Sequence, residues 1–509
     1  MKGNRVRFPF LFSQTMKYLI ILLVSLFSFL SDTIGQREYD FSLACQQAYK
    51  DILHLKIQSG REQIARIKKQ EPNNLIPYLL ESYANFFELF FNENPTQYAA
   101  QLKKWDQLIS LAKNGNTSSA FYHYAISMMY LHKAIIEIKF GDTWSAGWNF
   151  RRAYGYIKDN KSLHPGFTPN LLLHGSLETV AGTIPSGYRF FTNLLGMKGS
   201  IQNGMKSIQQ FLQTDNAYGN LMKEEAQFMY CYLSFYFENK KTEVIQYIQQ
   251  QKLDVVNNHL FCFMLANLYQ NSQQSSKVRT TIQKRNPSNA YLNTPVWSLL
   301  EGYAALNELD LDDAIASLTD FQNRFQGNTY LKESYWKLSW AYYLKNNLPA
   351  AEQARKMALQ KGKTFTDADK KALKDAESGV WPNPILLQAR VLNDGGFHQR
   401  ALEKLQQMPR QSSPTWELEY QYRLGRIWDD MGKDSMALVH YNQTIQLGRY
   451  RKEYFAARAA LQIGQLYEQK GQFKKALTYY ELCLDMDHTE YKNSLDQRAK
   501  SGIARCRKQ

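Results

Sequence analysis

The chain has 509 residues, 44% hydrophobic and 21% charged, a balance that excludes an intrinsically disordered protein. Its length exceeds what one ordinary core holds, so two or three units or one elongated array is expected. The formal charge of +16 is spread over many segments instead of gathered into a patch, which argues against nucleic acid as a partner.

The chain opens with a targeting pattern. Met16-Lys17 precedes an apolar run from Tyr18 to Leu30, and Thr33 and Gly35 stand at the small positions of a cleavage site. A basic start, a short apolar stretch and a small-residue exit predict export with cleavage after Gly35, with a single uncleaved N-terminal anchor as the alternative. The run is shorter than an ordinary membrane-spanning helix, and removing the leader takes away four basic residues and one acidic residue, leaving +13. The first cysteine is Cys45, too far from the apolar run for a lipoprotein anchor. The others are Cys231, Cys262, Cys483 and Cys506. An odd number without CxxC spacing predicts neither a disulfide framework nor a zinc site. A Cys231–Cys262 bridge is conceivable only in an oxidising compartment.

Helices are predicted from Tyr39 to Gln70, with a break at Ser59-Gly60. A nearly all-apolar, and therefore buried, helix is predicted from Tyr78 to Phe91. Another spans Tyr98 to Ala112, followed by a turn at Asn114 to Ser118. Beyond this, small residues recur at a spacing that lets two antiparallel helices cross closely. The pairs are Ala134/Ala146, Gly302/Ala314, Ser339/Ala351, Ala389/Ala401, Gly425/Ala437 and Gly464/Ala476, with Gly141, Gly396, Gly432 and Gly471 placed for the intervening turns. Ala266/Val278 is a weaker pair, and the aromatic helix from Ala226 to Phe237 is predicted to be buried. This is the pattern of tetratricopeptide repeats. Between Ser339 and Ala389 an insert covers Lys361 to Pro384 and predicts one additional charged helix. Ser494 to Lys508 predicts a basic closing helix. No strand pattern appears. The expected fold is all-α, a tetratricopeptide-like α-solenoid, divided into a leader (1–35), a degenerate helical region (36–285) and C-terminal repeats (286–509).

One stretch departs from the pattern. Glycines at 175, 182, 187, 196, 199 and 204 and Pro185 interrupt dense apolar sequence. It predicts short helices, broken at Pro185 and turned at Gly196 to Gly199, with close backbone approaches. This block, together with Gly147-Trp-Asn-Phe-Arg-Arg-Ala-Tyr154, resembles the tetratricopeptide family that includes the fungal inclusion-body clearance protein of the mitochondrial outer membrane and its animal relatives. The matching positions are Gly182, Pro185, Leu194, Leu195, Gly196, Gly199 and Gly204. The resemblance implies a helical-repeat protein without catalytic residues, in a family tied to lipid-linked and protein-clearance processes. The leader departs from those intracellular relatives.

The residues carry no catalytic motif. Gly196-Met-Lys-Gly-Ser200 lacks the spacing of a phosphate loop and no strand precedes it. The histidines form no HExxH pair, and His174 with Glu178, or His132 with Glu137, are two groups where a metal needs more. No cofactor is expected. Two aromatic-basic clusters are the candidate partner contacts: Trp144, Trp148, Arg151 and Arg152, and Tyr188, Arg189, Phe190 and Phe191. The expected function is a non-enzymatic scaffold in the bacterial envelope (periplasm or outer-membrane-associated) that binds a protein or peptide in its groove. The alternative is an envelope protein that binds lipid or carbohydrate, with anionic lipid as a peripheral contact.

Overall fold

The computed structural model describes residues 37–183, 199–409, 413–487 and 491–507. Among them are twenty-five helices, and the extended backbone is limited to one isolated bridge between Glu38 and Asn74. In chain order α1 is Leu43–Leu53, α2 Ile57–Gln70, α3 Ile76–Asn92, α4 Pro95–Ala112, α5 Ala120–Lys139, α6 Thr143–Leu163 and α7 Pro169–Gly182. There follow α8 Ile201–Leu212, α9 Ala217–Leu221, α10 Lys223–Phe237, α11 Lys241–Gln250, α12 His259–Gln270 and α13 Ser275–Gln283. The second half holds α14 Val296–Glu308, α15 Leu311–Arg324, α16 Leu331–Leu344, α17 Leu348–Gln360, α18 Asp367–Glu377 and α19 Pro384–Asp394. It closes with α20 His398–Leu405, α21 Pro414–Asp430, α22 Asp434–Gly448, α23 Phe455–Gln469, α24 Phe473–Asp485 and α25 Lys492–Cys506.

The helices stack as antiparallel pairs, and the small residues lie at the crossings. A Cβ added to Gly425 would meet the Tyr441 ring at 2.5 Å, and one added to Gly464 would meet Tyr480 at 2.6 Å. In each pair the first helix gives up a side chain so that a tyrosine of the second can lie flat against its backbone. Gly432 and Gly471 turn the chain between them at φ +68°, a conformation that costs other residues steric energy. A continuous apolar core runs from Tyr39 to Ala304, through both sides of position 285, and smaller clusters follow along the later pairs.

Several details differ from the sequence reading. The chain breaks after α1, where Leu55 has φ +63°, while Ser59-Gly60 lies inside α2. Gly60 serves a close contact instead, since a Cβ there would be 2.5 Å from Ile52 Cγ1. In the aromatic helix α10, Tyr236 and Phe237 are exposed, because the apolar residues circle the helix and only part of its circumference is covered. All five cysteines are free and buried, so Cys231 and Cys262 form no bridge. The insert does form a helix, α18, but Trp381 stands beyond it, stacked on Tyr343 at 4.7 Å with its indole N–H donated to Glu352 at 2.9 Å.

The described part of the glycine block, Gly175, Gly182, Gly199 and Gly204, is a helix crossing. Helices α7 and α8 approach so closely that a Cβ on Gly175 would stand 2.8 Å from Gly204 O. One on Gly204 would be 2.4 Å from Gly175 O and 2.2 Å from Thr179 Oγ1. Gly199 and Gly182 repeat the arrangement at the end of the pair, where a Cβ on Gly199 would be 2.1 Å from Gly182 N. The predicted break at Pro185 and turn at Gly196 lie outside the described residues.

Candidate functional site

The first helices of the C-terminal pairs lie side by side, and their shared face carries a repeating polar pattern. Arg390 and Asp394 on α19, Tyr422 and Arg426 on α21, and Tyr454, the cap of α23, with Arg458 inside it are each one helical turn apart, so each pair points the same way. Together with Asn393, Arg423, Ile427, Lys371 of α18 and Tyr491, they enclose a cavity of about 230 Å³. Helix α18 forms one wall: Lys371 and Lys374 stand 5.4 and 5.5 Å over the ring of Tyr491. The insert thus brings a lysine to a groove that the repeats alone leave to arginines.

Most of the charges here have assigned partners. Glu419 accepts from Arg423 Nε and Nη2 at 3.0 and 2.6 Å. Asp430 accepts from Arg426 Nη2 at 3.1 Å, from Asn393 Nδ2 at 2.7 Å and from Gln273 Nε2 at 3.0 Å. Lys371 pairs with Asp375 at 2.5 Å, whereas Arg390 is 3.9 Å from Asp394 and lies on the face of Trp340 at 4.9 Å. Two donors are left over: Nε of Arg426 and Nε of Arg458 are buried without a hydrogen-bond partner. A buried donor without a partner costs about 1–3 kcal/mol, more on a charged group. Burial, with the charge of Arg390 second, pushes the Lys371 ammonium down to about 8. Burial likewise pushes the Tyr454 phenol up to about 12, which keeps it a neutral donor.

A second cavity, about 520 Å³, is bounded by Tyr39, Phe41, Phe121 and Tyr218. It is larger, but Asp40 is the single charged residue on its wall, and its rings pack on one another at 5.6–5.7 Å.

Of the sequence candidates, the structure brings Trp144, Trp148 and Arg151 together on α6. The two indoles meet edge to face at 6.1 Å and Arg151 lies 5.4 Å over Trp148. Trp144 is 61% exposed. Arg152 turns the other way, donating to Asn149 at 3.0 Å and lying 5.6 Å over Tyr130. Tyr188, Arg189, Phe190 and Phe191 lie outside the described residues. The two histidine-carboxylate pairs are structural. His132 Nδ1 is 2.9 Å from Ser82 Oγ, and Glu137 accepts from Asn149. His174 lies 3.6 Å from Glu178. Among the described residues, no three His, Cys, Asp or Glu side chains are placed to hold a metal, and no helix is long and apolar enough to cross a membrane.

The arginine-lined cavity was missed from sequence, although a signal for it was present. Once Gly425 and Gly464 fix which face of α21 and α23 meets the partner helix, Arg426 and Arg458 fall on another face, and Arg390 repeats the position of Arg426 one repeat earlier.

The tetratricopeptide repeat family matches residues 457–489, which cover α23 from its third residue and all of α24. No curated protein matches the chain. Among solved structures, the TPR domain of P58(IPK) is 15% identical, with 81% of this chain and 95% of that chain covered, at a TM-score of 0.23. The APC/C hetero-tetramer Cut9–Hcn1 is 10% identical, covering 95% of this chain and 98% of that one, at 0.26. Yeast Tom70 is 12% identical, covering 97% and 94%, at 0.22. Global superposition on all three is poor, and they say nothing of this chain's ligand.

Proposed function

We propose that the protein is a non-enzymatic interaction scaffold that binds a protein segment in the groove of its C-terminal repeats, with an anionic group of that segment in the arginine-lined cavity. The observation that carries this reading is the pair of buried, unpartnered Nε donors of Arg426 and Arg458, because an anion laid between them would remove their desolvation cost. Stacked helix pairs supply the long groove in which an extended or helical segment lies. The exposed Trp144, beside Trp148 and Arg151, supports a second contact surface on the same partner.

The test is an affinity capture of the full-length tagged protein, with crosslinking, run beside Arg426→Gln and Arg458→Gln. A protein crosslinked to α19, α21 or α23 and lost from both variants supports the scaffold. Capture that is unchanged in both variants overturns it.

We also propose that the protein is exported to the envelope, on the strength of Met16 to Gly35, and that it is kin to the inclusion-body clearance family, on the strength of Gly147–Tyr154 and Gly175–Gly204. N-terminal sequencing checks the first: a mature start at Gln36 supports export, and an intact N-terminus favours the anchored alternative.

A further inference from the structure

We propose that the group recognised in the arginine-lined cavity is a phosphoryl dianion carried on the bound protein segment, a reading that rests on the scaffold proposal above.

Charge bookkeeping sets the ligand's charge. Within the cavity and its immediate walls, Glu419, Asp430 and Asp375 each have a cation of their own, and Asp394 is loosely matched to Arg390. Arg458 has no carboxylate within ion-pair distance among the described residues, and neither has Arg498 of α25. Arg498 is nonetheless close enough to Arg458 and Arg426 for their charges, after burial, to depress its own protonation. Two positive charges are therefore crowded together with no ion pair to either among the described residues; Asp496, which together with both acts on Cys483, is loosely matched to Lys492 at 3.8 Å. A singly charged carboxylate would balance only one of them.

Geometry sets the ligand's shape. The donors come from different helices: Arg390 from α19, Arg423 and Arg426 from α21, Arg458 from α23 and Lys371 from α18. A carboxylate is planar and takes two parallel donors from one guanidinium fork. Arg423 spends Nε and Nη2 on a single oxygen of Glu419, and Arg426 spends Nη2 on both oxygens of Asp430, so neither offers that edge whole to a second carboxylate. What is left is a set of donors converging from several directions, which suits the three terminal oxygens of a phosphoryl group. The Tyr454 hydroxyl adds a neutral donor, and the Tyr422 and Tyr491 rings wall the space where the rest of the ligand would pass.

The experiment is calorimetric titration of the full-length protein with phenyl phosphate and with benzoate at pH 7, repeated on Arg426→Gln and Arg458→Gln, with competition against the captured partner. Phenyl phosphate is expected to bind one to one, at least about tenfold tighter than benzoate, and each variant is expected to lose about tenfold, the worth of one charge-assisted hydrogen bond. Phenyl phosphate should weaken as pH falls through about 6, where its second proton returns. Equal binding of benzoate, or no binding of phenyl phosphate to the unaltered protein, overturns the inference. Those two results need no variant, so they stand even if a substitution prevents folding. A partner captured through the groove that phenyl phosphate does not displace sinks the phosphoryl assignment and leaves the scaffold standing. Phenyl phosphate binding with no groove-dependent partner sinks the scaffold and with it the assignment to a protein segment.

Discussion

A buried residue in this fold is judged by what surrounds its backbone as much as by its side chain. Gly204 and Gly175 let α7 and α8 meet backbone to backbone, so Gly204→Val drives methyls into Gly175 O and Thr179. We expect a loss of about 3 kcal/mol or more, the upper range for overpacking, read as a lower urea midpoint. A change under 1 kcal/mol would show that the crossing relaxes freely. Lys371 makes a different kind of statement. Burial chiefly, then Arg390, lowers its ammonium to about 8, and Asp375 pulls it part of the way back. An anion in the cavity favours the charged form, so binding takes up a proton whenever Lys371 is neutral beforehand. Anion affinity should therefore be full between about pH 6 and pH 8, once the phosphoryl group is a dianion, and fall as pH rises through about 8. Phenyl phosphate titrations from pH 7 to 9.5 check this, and Lys371→Met should flatten the decline.

At the scale of elements, the insert α18 is held by its own buried carboxylate. Asp369 accepts from the backbone N–H groups of Tyr330 at 2.8 Å and Glu333 at 3.1 Å, capping the first turn of α16, and from Thr366 Oγ1 at 2.6 Å. A negative charge at a helix start meets both its free donors and its dipole. Asp369→Ala leaves those donors buried and unpaired and should cost about 2 kcal/mol. It should also free α18 from α16, speeding hydrogen exchange over 367–377 and weakening anion binding through the displaced Lys371. Faster exchange with unchanged affinity would show that Lys371 is not part of the site.

On the scale of the whole molecule, distant pairs are clasped. Glu93, in a left-handed turn after α3, is buried and accepts from the N–H groups of Asn328 and Thr329 at 3.2 Å, while Lys139 pairs with it at 2.8 Å. Gln273 reaches Asn393 and Asp430 across the array, and Arg400 donates to Glu308 O at 2.9 Å. These contacts make the solenoid less one-dimensional than stacked neighbours alone. Glu93→Ala should lower stability by about 3 kcal/mol, since it strands Lys139 and two backbone donors. It should also separate the unfolding of the early and late repeats, seen as two denaturation transitions where the unaltered protein shows one. A single unshifted transition would deny the clasp any coupling role.

The sequence by itself determined the helices and most of their pairing, because small residues at fixed spacing are a local requirement. Gly425, Gly464, Gly432 and Gly471 each have only to accommodate a neighbour or a turn within their own repeat. It also marked Gly175 to Gly204 as a place of close backbone approach, and it grouped Trp144, Trp148, Arg151 and Arg152, of which the structure keeps the first three together and turns Arg152 away. Only the tertiary structure decided the rest. Arg390, Arg426 and Arg458 read singly as solvated charges on separate helices, and they become a site only when three repeats align their faces and α18 brings Lys371 opposite. Glu93 likewise carries no mark of burial in its own segment. Its partners Asn328 and Thr329 lie more than two hundred residues away, and contacts between residues so far apart follow from how the array closes, which no local periodicity encodes.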